Sequence, residues 1–451
     1  MTDPLTDSPT TTVTATNSYL RDFTGGDEGS TGAAPAWLRD LRRSAAARFA
    51  AVGFPTRRDE EFRFTNVSPI AETPFALAPA EASALTLDDL APYVYAGMGG
   101  TQLVFVNGHF QPGLSSKSFP QGVTVSTLAE AMRTSPDAIQ AHVGQYARPE
   151  AQAFVALNTA ALEDGAFIHV KRGAVVEEPL HLLFVSAPAG GPTVSHPRTL
   201  IIAEENSQAT VVESYAGTAD RVYFTNAVTE VVLGAGAVMD HYKVQRESLK
   251  AYHIATMQLQ LARGTDFSSH SIGLGGKLVR NDANAYLGGE GIECTLNGVY
   301  LGDDRQLIDN HTSIDHAMPH CNSHEVYKGI LDGHARGVFN GKIFVRPDAQ
   351  KTDAKQTNKT LLLSPTAQID TKPQLEIFAD DVRCTHGATI GQISEEALFY
   401  LRARGIPQDQ ARNLLTYAFA SDVVSRIKVD AIRATLDHVL LAESALTGLS
   451  E

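Results

Sequence analysis

A thiol and an imidazole stand two residues apart in the run V-R-C-T-H-G-A-T-I-G at 382–391, at Cys384 and His386. In an extended strand residues i and i+2 share a face, so both side chains would point the same way. A soft sulfur beside a borderline imidazole suits iron, zinc or copper(I) better than magnesium or calcium. The plainer reading is a small buried hydrophobe and a hydrogen-bonded polar residue, because C-x-H alone is a weak motif. A second group of metal-capable residues lies at 309–334, with Asp309, His311, His316, His320, Cys321, His324 and His334. Their spacing matches no regular zinc pattern, and histidines stacked along strands or bonded to turns explain it equally well. Asp380 and Asp381 would project to opposite faces of a strand, which works against joint glycoside chemistry. The chain has no G-x-S-x-G elbow, no H-E-x-x-H and no phosphate-cradling G-x-x-x-x-G-K-[ST].

The elements that must hold these residues are mostly strands. From 166 to 393 the chain is rich in Val, Ile, Thr and Tyr, and it lacks the long helices that parallel α/β units need. Segments 206–217, 234–245, 264–274 and 289–301 each join a turn of small or polar residues to short strands, with starts roughly 25–30 residues apart, the period of a solenoid. Segments 335–345 and 367–378 continue the series. Such rungs have no core of their own and are stabilised by stacking, so a β-helix is expected. A β-sandwich is the alternative, but the strand run is too long for one and lacks regular hairpin turns. One hairpin is expected where Asn107-Gly108 follows Leu103–Val106.

Helices flank the strands. Residues 1–34 are dominated by Thr, Ser, Gly, Asp and Pro and read as a disordered tail. Trp37, Leu38, Leu41, Ala45 and Phe49 fall at helical offsets, a second helical stretch is expected near 80–90, and a short helix near 153–164. Beyond 393, Ser394 is placed as an N-cap with Glu395 and Glu396 behind it. Gly405 and Pro407 then separate two helices. Ala411, Leu414, Leu415, Ala418 and Phe419 form one apolar stripe, and Val429, Ile432, Leu436, Val439 and Leu440 another. The division is a tail at 1–34, helical at 35–92, a β-helix core at 93–393 and helical at 394–451.

Charge and cysteine content narrow the function. With 51 acidic against 37 basic residues the net charge is −14, which disfavours nucleic acid and anionic membranes as partners. Three cysteines in 451 residues make no disulfide framework and point to a reducing compartment. The first 20 residues show no secretory pattern, and no apolar run is long enough to span a membrane, so a cytoplasmic location is expected.

Several stretches together resemble the SufB/SufD family of iron–sulfur cluster assembly proteins. They are H-T-S-I-D-H-A-M-P-H-C (311–321), Y-K-G-I-L-D (327–332), F-N-G-K-I-F-V (339–345), Q-K-T-D-A-K-Q (350–356), L-L-L-S (361–364), C-T-H-G-A-T-I-G (384–391) and L-F-Y-L-R-A-R-G-I (398–406). Upstream, P-T-R-R-D-E-E-F-R-F-T-N (55–66) is similar to the family's N-terminal motif, with Phe62 and Phe64 for its usual Trp and Tyr. L-N-T-A (157–160) and H-P-R-T-L (196–200) also fit. H-G-A-T at 386–389 resembles the SufD branch; the SufB branch carries a glutamate where Gly387 stands and a cysteine upstream that 364–373 lacks.

The resemblance implies a mainly β protein built on a right-handed parallel β-helix, without catalytic activity of its own. It implies a heterodimer with SufB and docking of the ATPase SufC on the C-terminal helices. It further implies that His386 stands at the SufB interface as a candidate ligand of iron and of a transient iron–sulfur cluster shared with SufB. Cys384 is the weaker candidate, and His311, His316 and Cys321 are left open. Exposed strand edges would also permit a homodimer in isolation. The rival expectations are a β-helix enzyme acting on polysaccharide, which should show clustered same-face acids, and a SufB-like scaffold working alone.

Overall fold

The computed structural model describes residues 34–79, 85–95, 97–188 and 190–441. The tail expected at 1–34 lies, but for Ala34, outside the described residues. Among the described residues twenty-one strands form two sheets, one of eleven strands and one of ten, and from Arg198 onward the chain alternates between them. Each long strand therefore pairs in parallel with the strand two places on, and the result is a β-solenoid of about eight turns. In the ten-stranded sheet the register runs Gln208↔Val238, Val238↔Asp266, Asp266↔Glu293, Glu293↔Asn322, Asn322↔Asp353 and Asp353↔Arg383. Alternate residues face inward, and one apolar cluster runs through the interior from Leu103 to Phe339.

The segments at 206–217, 234–245, 264–274 and 289–301 coincide with strands Gln208–Gly217, Val238–Arg246, Asp266–Gly273 and Glu293–Gly302 of this sheet. The segments at 335–345 and 367–378 do continue the solenoid, but as Arg336–Val345 and Gln368–Ile377 of the opposite sheet. Both sheets share one period, so spacing alone does not tell them apart. The corners repeat as well. Two residues before successive strands of the ten-stranded sheet stand Asn206, Gly236, Gly264, Gly291, His320 and Lys351, all with φ between 56° and 70°. A left-handed corner costs a non-glycine residue about 1 kcal/mol or more, so His320 and Lys351 hold it against their intrinsic preference.

Antiparallel pairing appears only at the N-terminal end among the described residues. Thr101–Val106 turns back into His109–Phe110 through Asn107 (φ 54°) and Gly108 (φ 87°), the expected hairpin. Val123–Thr127 pairs antiparallel with Ala166–Val170. Helix Ala36–Val52 buries Leu38, Ala45 and Phe49, with Trp37 and Leu41 half-buried beside them. The second helical stretch is only Leu87–Leu90, capped by Thr86, and 80–84 lie outside the described residues. Helices Leu128–Thr134, Pro136–Gln140 and Ala153–Ala160 precede the regular rungs.

Beyond the last strand come helices Glu395–Arg402, Gln408–Val424 and Asp430–Leu441. Ser394 caps the first, accepting from the Ala397 N–H at 3.2 Å. The other two lie on the outer face of the ten-stranded sheet, where Ala420, Val423, Val424, Ile432, Leu436 and Leu440 meet Tyr242, Val244, Ile272 and Val299. The stripe expected on the middle helix is rotated. Its buried face runs through Ala411, Thr416, Ala420 and Val423, while Leu414 is 42% exposed. Small residues let this helix approach the sheet closely, which size-blind periodicity does not capture. Polar contacts fix the module: Lys428 Nζ reaches both carboxylate oxygens of Asp240 at 2.9 Å, and Lys328 pairs with Asp422.

Candidate functional site on the open terminal rung

Strand Arg383–Gln392 ends the ten-stranded sheet and Gln368–Ile377 ends the other. Each is paired on one side only among the described residues, by Asp353–Leu362 and by Arg336–Val345. Cys384 lies in register with Ala354, and His386 with Gln356. Both partners are buried inward residues, at 0% and 2% exposure, so Cys384 and His386 continue inward-facing files. The file leading to His386 is Val211, His241, Ser269, Leu296, Glu325 and Gln356. Each of these is covered by a following rung. His386 has none and is exposed.

Cys384 is half-buried against Leu375 and the cluster of Ile343, Val345 and Ala354. Burial pushes its thiol above the ordinary cysteine range, which favours the protonated form. The imidazole of His386, two residues on, is exposed. A Cβ built on Gly387 would meet nothing within 4 Å, so no packing demand accounts for glycine at that position. Large apolar side chains are exposed on the two terminal strands and just beyond one of them, among charged and polar neighbours: Ile377 is 39% exposed, Ile390 50% and Phe378 58%. Unpaired strand edges with exposed apolar side chains are open to strand pairing with another chain.

The residues at 309–334 are not brought together. His311 faces outward, with Nε2 2.9 Å from Asp309 Oδ1 and Nδ1 3.3 Å from Glu61 Oε2. Burial alone would discharge the ring, but the two carboxylates hold it protonated, with its pKa raised to about 9. An imidazolium ion-paired at both nitrogens offers no lone pair to a metal. His316 points inward, bonds Ser323 at 3.0 Å, and burial holds it down to about 4. His320 occupies a corner, and the Cys321 thiol donates to the Gly289 carbonyl at 3.2 Å. No group of three or more metal-capable side chains forms among the described residues. Asp381, half of the carboxylate pair, is taken up by Lys351.

Two buried networks escaped the reading of spacing. In the first, segment 55–66 is clasped to the solenoid. Arg280 is held by Asp282 (2.8 and 2.9 Å), Asp309 (2.9 Å) and the Glu61 carbonyl (2.6 Å), with its guanidinium 3.9 Å from the Phe62 ring centre. Thr65 adds a hydrogen bond to Asp309 at 2.5 Å. In the second, L-N-T-A meets H-P-R-T-L: Arg198 donates to Asn158 and Thr159 and pairs with Glu230 at 2.5 Å, all fully buried. The quoted motifs were the available signal, since their charged and amide residues have no surface role to explain them.

Fold and site define a two-sheet parallel β-solenoid with a helical module on one flank and a thiol–imidazole pair on its open terminal rung. The family description "SUF system FeS cluster assembly, SufBD core domain" matches residues 184–419, and "SufBD protein N-terminal region" matches 13–182. The iron–sulfur cluster assembly protein SufD of Escherichia coli is 34% identical over 84% of this chain and 87% of its own length. An iron–sulfur cluster assembly SufBD family protein of Synechocystis is 32% identical over 88% of this chain and 89% of its own. SufD of Bacillus subtilis is 27% identical over 95% and 98%. The chain belongs to the SufB/SufD family of iron–sulfur cluster assembly proteins. Among the described residues no helix is long and apolar enough to cross a membrane.

Proposed function

We propose that this chain is the SufD-like, non-catalytic subunit of a cytoplasmic SufB–SufC–SufD assembly, and that its terminal rung is the face turned to SufB. The observation that carries this is His386, an inward-facing position of the repeat left exposed where the solenoid ends. The iron–sulfur cluster is cargo. His386 supplies one ligand to iron and the nascent cluster from this side, and SufB supplies others. Cys384 packs on the apolar cluster of the preceding rung and takes part only as the thiolate. A ligand set divided between two subunits is open, so the product can leave, and it depends on how the subunits sit. The C-terminal module at 394–451 is the seat for SufC: Phe399 and Tyr400 on Glu395–Arg402 are 73% and 56% exposed, whereas the two later helices are held down on the sheet. ATP hydrolysis by SufC would then move both scaffolds as bodies and alter the shared ligand geometry.

The test is anaerobic co-purification of the chain with SufB and SufC, comparing wild type with His386→Ala for iron and acid-labile sulfide. An intact complex depleted of both supports the reading. Equal iron and sulfide in the two preparations would leave this chain a structural partner only. A stable cluster on the purified chain alone would favour a self-sufficient scaffold.

A further inference from the structure

A buried acceptor beside the terminal rung lacks a partner. Gln356, 2% exposed in strand Asp353–Leu362, is the register neighbour of His386. Paired residues of adjacent parallel strands point to one face about 4.8 Å apart, so the amide and the imidazole occupy one inward file. Gln356 Nε2 donates to Oε2 of Glu325, the next residue inward in that file, at 2.7 Å. From the opposite sheet Gly341 leaves the amide its space, because a Cβ there would collide with Nε2. The nitrogen is thus anchored and the carbonyl end set. Gln356 Oε1 is left buried with no hydrogen-bond partner. An unpaired buried oxygen costs about 1–3 kcal/mol; Asn358 Oδ1 and Thr360 Oγ1 of the same strand share that state, and Gln356 is set apart from them by its register with His386.

A histidine that binds metal through one ring nitrogen commonly donates the other N–H to an oxygen, which fixes its tautomer and direction. We propose that Gln356 is the positioning residue of His386: when SufB covers the terminal rung, the imidazole donates one ring N–H to Gln356 Oε1 and presents its other nitrogen to iron. This rests on the reading of His386 as an iron ligand. An amide suits the task better than a carboxylate, because it orients the ring without favouring the imidazolium, which cannot bind metal.

The test titrates iron(II) alone, anaerobically and without sulfide, into the SufB–SufC–SufD complex carrying wild type, His386→Ala, Gln356→Met, Gln356→Asn or Asn358→Val. Gln356→Met removes the acceptor at nearly constant volume, and Gln356→Asn withdraws it by one methylene while keeping an amide. The proposal expects each to weaken iron(II) binding about 10- to 100-fold, the usual effect of losing such a support. Asn358→Val, which removes another inward amide of the same strand, should leave iron(II) binding unchanged while lowering Tm comparably. If His386→Ala weakens binding and neither Gln356 variant does, the positioning role is overturned and the ligand stands. Should His386→Ala also bind as wild type, the ligand reading falls, and the proposal with it. A parallel loss in Asn358→Val would mark the effect as general destabilisation and would overturn the proposal too.

Discussion

Strands Glu293–Gly302 and Arg383–Gln392 occupy the same place in turns of the solenoid three apart, and Leu296 and His386 lie in one file of the register, yet their surroundings are opposite. The inner strand is paired on both sides and Leu296 is 1% exposed; the terminal strand is paired on one side and His386 is open. An inward position is therefore buried core or open surface according to whether another rung follows. The repeat supplies rigid placement, and its interruption supplies access.

The comparison breaks most forcefully inside the closed part. Arg198→Ala would strand Glu230 as a buried unpaired charge and should cost about 3–5 kcal/mol in urea unfolding. Leu296→Ala opens a cavity in the stacked core and should cost about 3 kcal/mol by the same measurement. The clasp at His311 sharpens the contrast through pH. Its pKa is raised above the ordinary 6.5 to about 9, so its contribution is whole below 6.5 and is lost as the pH rises through 9. The full span is worth roughly 3 kcal/mol, and His311→Gln should flatten thermal stability across it. His316 works in the other direction: held down to about 4, it withdraws stability as the pH falls from 6.5. Ser394→Ala should remove about 1 kcal/mol as a lost cap. His386→Ala should change unfolding by less than about 0.5 kcal/mol, the ordinary range for an exposed position. A loss rivalling that of Leu296→Ala would mean the terminal rung is core after all.

What could be read from the sequence followed the range of the interactions. The solenoid was legible because its period recurs locally, and Ser394 and Asn107-Gly108 because caps and tight turns involve neighbours in the chain. The Cys384–His386 pair was legible as a shared strand face, while their exposure was not, since that depends on where stacking stops. The phase of Gln408–Val424 was misread because Leu414 looks like core until the sheet's contact face is known. The clasp joins Thr65 to Asp309, 244 residues apart, and local spacing carries no trace of it. His311 accordingly read as a metal candidate when its two nitrogens are committed to carboxylates.

The most direct test of the terminal rung as the working end is amide hydrogen exchange of the chain alone and in complex with SufB and SufC. The account predicts new protection in Gln368–Ile377 and Arg383–Gln392 on assembly, with no change in Glu293–Gly302, which is already paired on both sides. Unchanged exchange in both terminal strands of an intact complex would contradict it.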